Sequence, residues 1–563
     1  MHRIVWMVLL LTAGAWAASS RPAASQPTSS TKAAPNGWKQ QAEHLQPLRG
    51  PSSNFIQSTA AAGDSLWLGP VLTLYLDRAA ERTAAPGCAD SPEEDARDCF
   101  LQVDAPAFTE SNNVVFGLDV ASADTIWAGL AFATRDGTAG AGGFLVSRDG
   151  GATFERTRAQ LDGAADTLVT YGANALPAIP IVEEANSAPQ AIDRNPRTGR
   201  VWVAGGQSGL RWSEDGGQTW QRAVLPPDTS TAITPAQDLS FTVGPPVDAD
   251  RGFLNHVAFS VLVDERGVVW AGTPDGLNRS DSLFAGGGRS WQHLRFDGRL
   301  DGLTGASVVA LAEQPRPDRR NPVWMASWAG GGRDTDRPER FGVTVTDDGG
   351  ETYRQALIGE QVFDFAFRGR TVYAAAGQSG LFVSGNGGRR WRSVATFPLS
   401  DASDTQTLPR DVQVRSVSTT SEALWLGTSD GLLRLPRPAE SDLLRGEAPT
   451  WTLFRTLVPV NPETPTDAAP DVETYAYPNP FSPADADVVR IRIELEEATA
   501  VDVSILDFGM NRVRTFTRRL DAGQQEVVWD GTDERGLRLP NGPYFYTVDT
   551  GSQTVRGKIL LVE

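Results

Sequence analysis

The chain has 563 residues and a formal net charge of −18, and lysine occurs only at Lys32, Lys39 and Lys558, so arginine supplies nearly all the positive charge. This length leaves room for two or three domains, and the acidic balance argues against nucleic acid or anionic lipid as the main partner, because both need a cationic face. Two cysteines and four histidines make a Cys/His zinc site improbable, and no phosphate-cradling glycine loop or dinucleotide motif occurs, so no metal and no cofactor is expected.

His2 and Arg3 precede an apolar run from Ile4 to Ala15, which ends in the small-x-small pattern Ala15-Trp16-Ala17. Residues 1–17 therefore read as a secretory signal peptide, too short to span a bilayer comfortably. No later segment is apolar enough to cross a membrane, so no integral membrane segment is expected after signal cleavage. In an exported chain Cys88 and Cys99 are expected to form one disulfide that closes a local loop. Residues 18–36, rich in Ser, Ala, Pro and Thr, read as a flexible linker.

From residue 37 to 457 one short strand pattern recurs: apolar, aromatic, apolar, then usually glycine. It stands at Leu66-Trp67-Leu68-Gly69, Ile126-Trp127-Ala128-Gly129, Val201-Trp202-Val203-Ala204 and Val269-Trp270-Ala271-Gly272. It returns at Val323-Trp324-Met325-Ala326, Val372-Tyr373-Ala374-Ala375 and Leu424-Trp425-Leu426-Gly427. The aromatic positions lie roughly 50 to 75 residues apart, the range of propeller blades with insertions. Several copies follow a β-prone run and a tight polar turn, as in Val257–Val263 before Asp264-Glu265-Arg266-Gly267. Strands of this length with almost no helical periodicity predict an all-β, seven-bladed β-propeller of four-stranded antiparallel blades.

A polar turn after the third strand adds a more specific signal. Ser147-Arg148-Asp149-Gly150-Gly151-Ala152-Thr153-Phe154 has the form S-x-D-x-G-x-T-aromatic. Ser213–Trp220 repeats it, Thr346–Tyr353 repeats it with Thr for Ser, Ser384–Trp391 is a weakened copy, and Gly286–Trp291 is weaker still. These runs resemble the Asp-box (BNR) motif of sialidase-like propellers. In families with this motif the boxes lie on the outer rim, so Asp149, Asp215 and Asp348 are expected to build turns, since Asx turns explain them fully. Trp451-Thr452-Leu453-Phe454 would complete the seventh blade. Gly37-Trp38-Lys39-Gln40-Gln41 resembles the strand after a box and would instead close the ring from the N-terminus; if both are used, an eighth partial blade arises.

Residues 458–474, rich in Pro, Thr and acidic residues, read as a second linker. Beyond them, alternating strands and Gly/Asn/Asp turns over residues 475–563 predict a small Ig-like β-sandwich. The set Tyr477-Pro478-Asn479-Pro480-Phe481, Trp529-Asp530-Gly531-Thr532-Asp533-Glu534-Arg535-Gly536 and Asn541-Gly542-Pro543-Tyr544-Phe545-Tyr546 resembles the FlgD-like Ig domain. It is also similar to the C-terminal sorting domains of type IX secretion. The resemblance implies contact with secretion machinery and extracellular or outer-surface placement, with the periplasm as an alternative. The acidic residues around Trp529 lack EF-hand spacing, so a turn with a buried Trp is expected there rather than calcium.

Propeller ligands usually bind on the face made by the loops that enter each first strand and join the second strand to the third. The long loops there are Arg156–Pro189, Val224–Asn255 and Trp328–Arg340, and loops longer than about 12–15 residues are often functional. They and their edges offer Tyr171, Glu183, Glu184, Asp248, Asp250, His256, Trp328, Arg333, Asp334 and Asp336 as a candidate ligand face. Catalytic residues are not assignable. A sialidase would need an arginine cluster, a Tyr–Glu nucleophile pair and an acidic proton donor. Within the propeller there are only Tyr75, Tyr171, Tyr353 and Tyr373, and the Arg-Ile-Pro element of such enzymes is missing. Xyloglucan hydrolases with these boxes use two propellers, and this chain has room for one. The expectation is a non-enzymatic binding or scaffolding propeller for a glycan, protein or cell-wall component at the cell surface. The alternative is a secreted glycoside hydrolase with paired carboxylates on the loop-rich face; a periplasmic sensor or assembly factor is a third class.

Overall fold

The computed structural model describes residues 39–40, 45–49, 51–77, 99–109, 113–122, 124–247, 251–281, 289–330, 337–399, 408, 412–455, 472–484, 486, 488–520 and 522–562. Seven antiparallel meanders of four strands occupy residues 59–103 (blade 1), 114–157 (blade 2), 191–222 (blade 3), 260–294 (blade 4), 307–356 (blade 5), 364–394 (blade 6) and 414–454 (blade 7). The second strand of each carries the recurring aromatic residue. Val201–Ala204, Val269–Thr273, Val323–Trp328 and Ala423–Thr428 are buried at every position. They are buried throughout and apolar apart from Thr273, Ser327 and Thr428 because both faces of the blade pack on neighbouring blades, whereas a sheet with one wet face would alternate.

The first strands form the inner ring. Thr59–Ala62 packs on Val114–Ser122, which packs on Ala191–Arg194, then Ser260–Val263, Ser307–Glu313, Asp364–Arg368 and Val414–Thr419, and the last returns to Thr59–Ala62. Among the described residues no strand is exchanged between blades 1 and 7. Thr452–Phe454 pairs with Gly431–Pro436 to finish blade 7. Lys39–Gln40 does not close the ring: it adds a fifth, outermost strand to blade 2 beside Phe154–Thr157. Leu45–Arg49 does the same on blade 1 and Ala232–Ile233 on blade 4, so the described residues contain no eighth blade.

Side chains latch the first blade to the last. The fully buried Asp77 carboxylate of blade 1 accepts bonds from Arg434 Nε at 3.0 Å and Nη2 at 2.9 Å, from Trp425 Nε1 at 3.3 Å and from the Thr420 hydroxyl. The Ile56 N–H donates to Thr428 O at 2.9 Å, continuing the seam along the backbone.

Elsewhere polar turns staple blades 2, 3, 5 and 6 each to the blade before it. In Ser147–Phe154 the Asp149 carboxylate accepts the Thr153 N–H and hydroxyl, and the Ser147 hydroxyl accepts the Gly151 N–H. The same bonds recur around Asp215 and Asp348, and around Asn386 the backbone ones recur without the hydroxyl, since Arg390 replaces the threonine. The second glycine of each turn lies on an indole edge of the preceding blade: Gly151 on Trp67, Gly217 on Trp127, Gly350 on Trp270 and Gly388 on Trp324. A Cβ on Gly151 would stand 2.5 Å from the Trp67 ring, and its φ of 91° also disfavours any other residue. Gly151→Ala is expected to cost at least about 2 kcal/mol through strain and overpacking, read as a lower denaturant midpoint. Gly137→Ala, at an open positive-φ turn, should cost less.

The C-terminal unit is a sandwich of two sheets. One holds Tyr475–Tyr477, Val489–Leu495 and Gly523–Trp529; the other holds Arg512–Leu520, Thr499–Leu506, Gly542–Asp549 and Thr554–Leu561. Ile491, Val503, Ile505, Trp529, Tyr546 and Ile559 fill the space between them. Trp529 donates to Thr532 O at 2.9 Å while Asp530 and Asp533 accept bonds from their own turns.

A buried charge quartet joins the sandwich to blade 7. Arg455 contacts Asp430 and Glu526 at 2.7 Å each, and Arg490 stands 3.7 Å from Asp430 and 3.6 Å from Glu526. Arg455, Asp430, Glu526 and Arg490 side chains are 6%, 5%, 14% and 3% exposed.

Candidate functional site

The residues expected on the loop-rich face divide into three groups. Glu183 and Glu184 are exposed, on a stretch that bridges from Ala185 to Gly140 of blade 2. Asp248, Asp250, Arg333, Asp334 and Asp336 lie outside the described residues, as does Cys88; Cys99 is disulfide-bonded. Tyr171, His256 and Trp328 are buried and bonded inside the protein. Trp328 donates to Val362 O at 3.0 Å and packs edge-on against Phe341 and Phe363.

His256 braces the long loop between blades 3 and 4. Its Nδ1 accepts the Gly244 N–H at 2.9 Å, so the proton sits on Nε2, which donates to Leu225 O at 2.8 Å. Burial lowers its pKa to about 4, against the opposing pull of the Leu225 carbonyl and Asp228. Protonation would set one N–H against another. The neutral ring therefore stabilises the fold fully above pH 6.5, and that contribution, roughly 3 kcal/mol, is lost as pH falls through about 4.

Carboxyls beside the axis act in the opposite direction. The unpaired edge N–H of Val417 in blade 7 donates to Asp364 of blade 6 at 2.9 Å, and Val263 of blade 4 donates to Asp193 of blade 3. Burial raises Asp364 to about 7 against two backbone N–H donors, and burial with the neighbouring Asp119 raises Asp193 well above the usual carboxylate value. Asp119 is itself held at about 7 by burial, moderated by Arg194. A carboxyl raised in the fold contributes stability that is complete below its unfolded value and lost as pH rises through 7. Asp364→Asn is expected to flatten the fall in unfolding free energy, read from urea titrations between pH 5.5 and 8.5, by roughly 2 kcal/mol, and an unchanged slope would contradict this placement.

One concave site stands out among the described residues. A cleft of about 500 Å³ lies on the outer flank of blade 3, beside the outermost strand of blade 4. The hairpin Leu168–Tyr171/Asn174–Pro177 walls it, pinned by the Tyr171 hydroxyl, which donates to Arg289 O at 2.6 Å. Burial pushes the Tyr171 pKa upward, so this phenol stays protonated. Trp202, Trp212, Trp220 and Trp291 line the cleft with Asp162, Arg211 and Arg222. Asp162 accepts from Arg211 Nη2 at 2.9 Å, from Arg211 Nη1, from Arg222 Nη2 and from the Ile181 N–H at 2.8 Å. Burial alone would raise its pKa, but the two guanidinium groups hold it below the usual carboxylate value. This trio fixes the first part of the 156–189 loop to blade 3.

Of the lining residues only Tyr171 belongs to the face expected from sequence. The available signal was tryptophan density. Trp212 immediately precedes Ser213, whereas valine precedes Ser147, Thr346 and Ser384 in the other turns, so three tryptophans fall between 202 and 220. Asp162 carried no such mark.

No group of three or more His, Cys, Asp or Glu side chains among the described residues could hold a metal ion, and no helix among them is long and apolar enough to cross a membrane.

The chain is thus a seven-bladed β-propeller followed by an Ig-like sandwich. Residues 481–554 match the family described as the FlgD Ig-like domain. No curated protein sequence matches the chain. Among solved structures it is similar to PorZ, a surface component of the type IX secretion system of Porphyromonas gingivalis, at 14% identity and a TM-score of 0.42, over 92% of this chain and 60% of that one. The chain therefore spans less than two thirds of PorZ. It is similar to the GH74 xyloglucanase of Xanthomonas campestris at 14% identity and a TM-score of 0.44, over 91% and 75% of the two chains. A third likeness is to YCF48 bound to D1 peptide, at 13% identity and a TM-score of 0.38, over 70% and 95%.

Proposed function

We propose that this is an exported binding propeller, held at the cell surface or released beyond it through its FlgD-like C-terminal domain, and that it recognises its ligand without chemically changing it. The observation that carries the reading is the carboxyl chemistry of the flank cleft. A glycoside hydrolase needs one carboxyl kept protonated as general acid beside a second, ionised one. In the cleft Asp162 is held ionised, with both oxygens committed to arginines. The raised carboxyls Asp119, Asp193, Asp364 and Glu313 belong to the first strands of their blades, and none of them lines the cleft.

The signal-peptide pattern, the FlgD Ig-like match and the Asp-box resemblance of the rim turns support export and a surface role. The test is to express the full chain, epitope-tagged in an exposed loop, in a bacterium with type IX machinery and to label intact cells. Labelling of intact cells, or recovery from the medium, is the expected result; retention inside the outer membrane overturns the placement.

A further inference from the structure

We propose that the flank cleft of blade 3 is a binding site for a neutral glycan, so that the ligand lies at the outer edge of the ring and not over its axis. This rests on the binding reading above and names its ligand class. Four tryptophans line one cleft, Trp202 and Trp291 buried in its floor and Trp212 and Trp220 partly exposed, and the two exposed indoles suit the C–H faces of pyranose rings while leaving the hydroxyls free.

The buried charges there are already committed. Arg211 also donates to Ser208 O at 2.7 Å, Arg222 to Val243 O at 3.0 Å and Ile179 O at 2.8 Å, and Arg289 to Gly267 O at 2.9 Å and Asp281 O at 2.9 Å. An anionic sugar or peptide would have to break such bonds to gain an ionic partner, which buried pairs resist. The polar groups open to a ligand are uncharged or stand at the mouth: the exposed side chains of Thr170 and Gln221, with Asp166.

The floor supplies an independent observation. The blade tryptophans Trp270, Trp324 and Trp425 donate their indole N–H to Asp264 at 3.1 Å, Gln314 at 3.3 Å and Asp77 at 3.3 Å. Trp202 occupies the same place in blade 3, is 1% exposed and lines the cleft, yet its Nε1 has no hydrogen-bond partner. A buried donor without an acceptor is rare and costly. That nitrogen is closed to solvent in the free protein, so a ligand hydroxyl oxygen would satisfy it only by parting the side chains of the cleft floor.

The test titrates the full chain with neutral hexasaccharides of glucose, mannose and galactose, with a galacturonate hexamer, and with an acidic peptide, following tryptophan fluorescence and heat. At least one neutral hexasaccharide should bind. Thr170→Trp, which fills the mouth from an exposed position, should weaken that binding by about tenfold or more, and Gln221→Ala should weaken it less. Both variants should keep the wild-type thermal midpoint. Binding of none of the neutral sugars, binding untouched by Thr170→Trp, or preference for the galacturonate or the peptide would each overturn the proposal. Surface labelling of the same chain separates the two readings: a surface-located protein that ignores neutral glycans leaves the export reading standing.

Discussion

Arg455→Ala is expected to cost about 3–5 kcal/mol and to uncouple the sandwich from the ring. The substitution leaves Asp430 and Glu526, 5% and 14% exposed, facing only Arg490 at more than 3.5 Å. An uncompensated buried carboxylate is far more damaging than the intact pair is stabilising. Calorimetry should show the sandwich transition moving down and separating from that of the propeller, with faster proteolysis between blade 7 and Tyr475. Replacing the whole quartet, Arg455→Met and Arg490→Met with Asp430→Leu and Glu526→Leu, should recover much of the loss, because apolar packing substitutes for a buried ion cluster only when no member is left unpaired. A single unchanged transition in Arg455→Ala would mean that the quartet does not couple the two units.

Asp77→Ala should be comparably severe, and at the opposite end of the ring's chain order. The carboxylate is fully buried and gathers Arg434, Thr420 and Trp425 of blade 7 onto blade 1. Among the described residues blades 1 and 7 share no strand, so this side-chain seam replaces the mixed-blade pairing that would otherwise close the circle. Removing the acceptor takes the carboxylate from the Arg434 guanidinium and leaves the Trp425 indole N–H with only the Thr420 hydroxyl, at 3.2 Å, a loss of about 3–5 kcal/mol. Hydrogen exchange should rise first at the Ile56 amide, which bonds Thr428 O across the seam. Protection lost evenly over all seven blades would contradict a local opening.

The blade count was legible because each second strand is apolar on both faces around one aromatic, a pattern with little dependence on distant residues. The turns were legible for the same reason: Ser147, Asp149 and Gly151 bond one another within five residues. Ring closure was not. Gly37–Gln41 has the composition of a post-turn strand, but a two-residue edge pairing such as Lys39–Gln40 can add to any exposed outer strand, and composition does not choose which.

Candidate residues fared worse, for a physical reason. Loop length pointed to Tyr171 and His256, whereas folding uses both to hold the loops down, through the Tyr171 hydroxyl and the two ring nitrogens of His256. The flank cleft draws on Asp162, Trp212 and Trp291, far apart in sequence and brought together by the packing of blade 3 on blade 4. Only the local excess of tryptophan foreshadowed it.

The most direct measurement of the central claim is incubation of the full chain with a panel of soluble polysaccharides, scoring retention on the polymer and release of reducing ends in the same samples. The account predicts retention without release, unaffected in its lack of turnover by pH between 5 and 8. Release of product, abolished by replacing an acidic pair on the loop-rich face, would contradict it and make the protein a glycoside hydrolase.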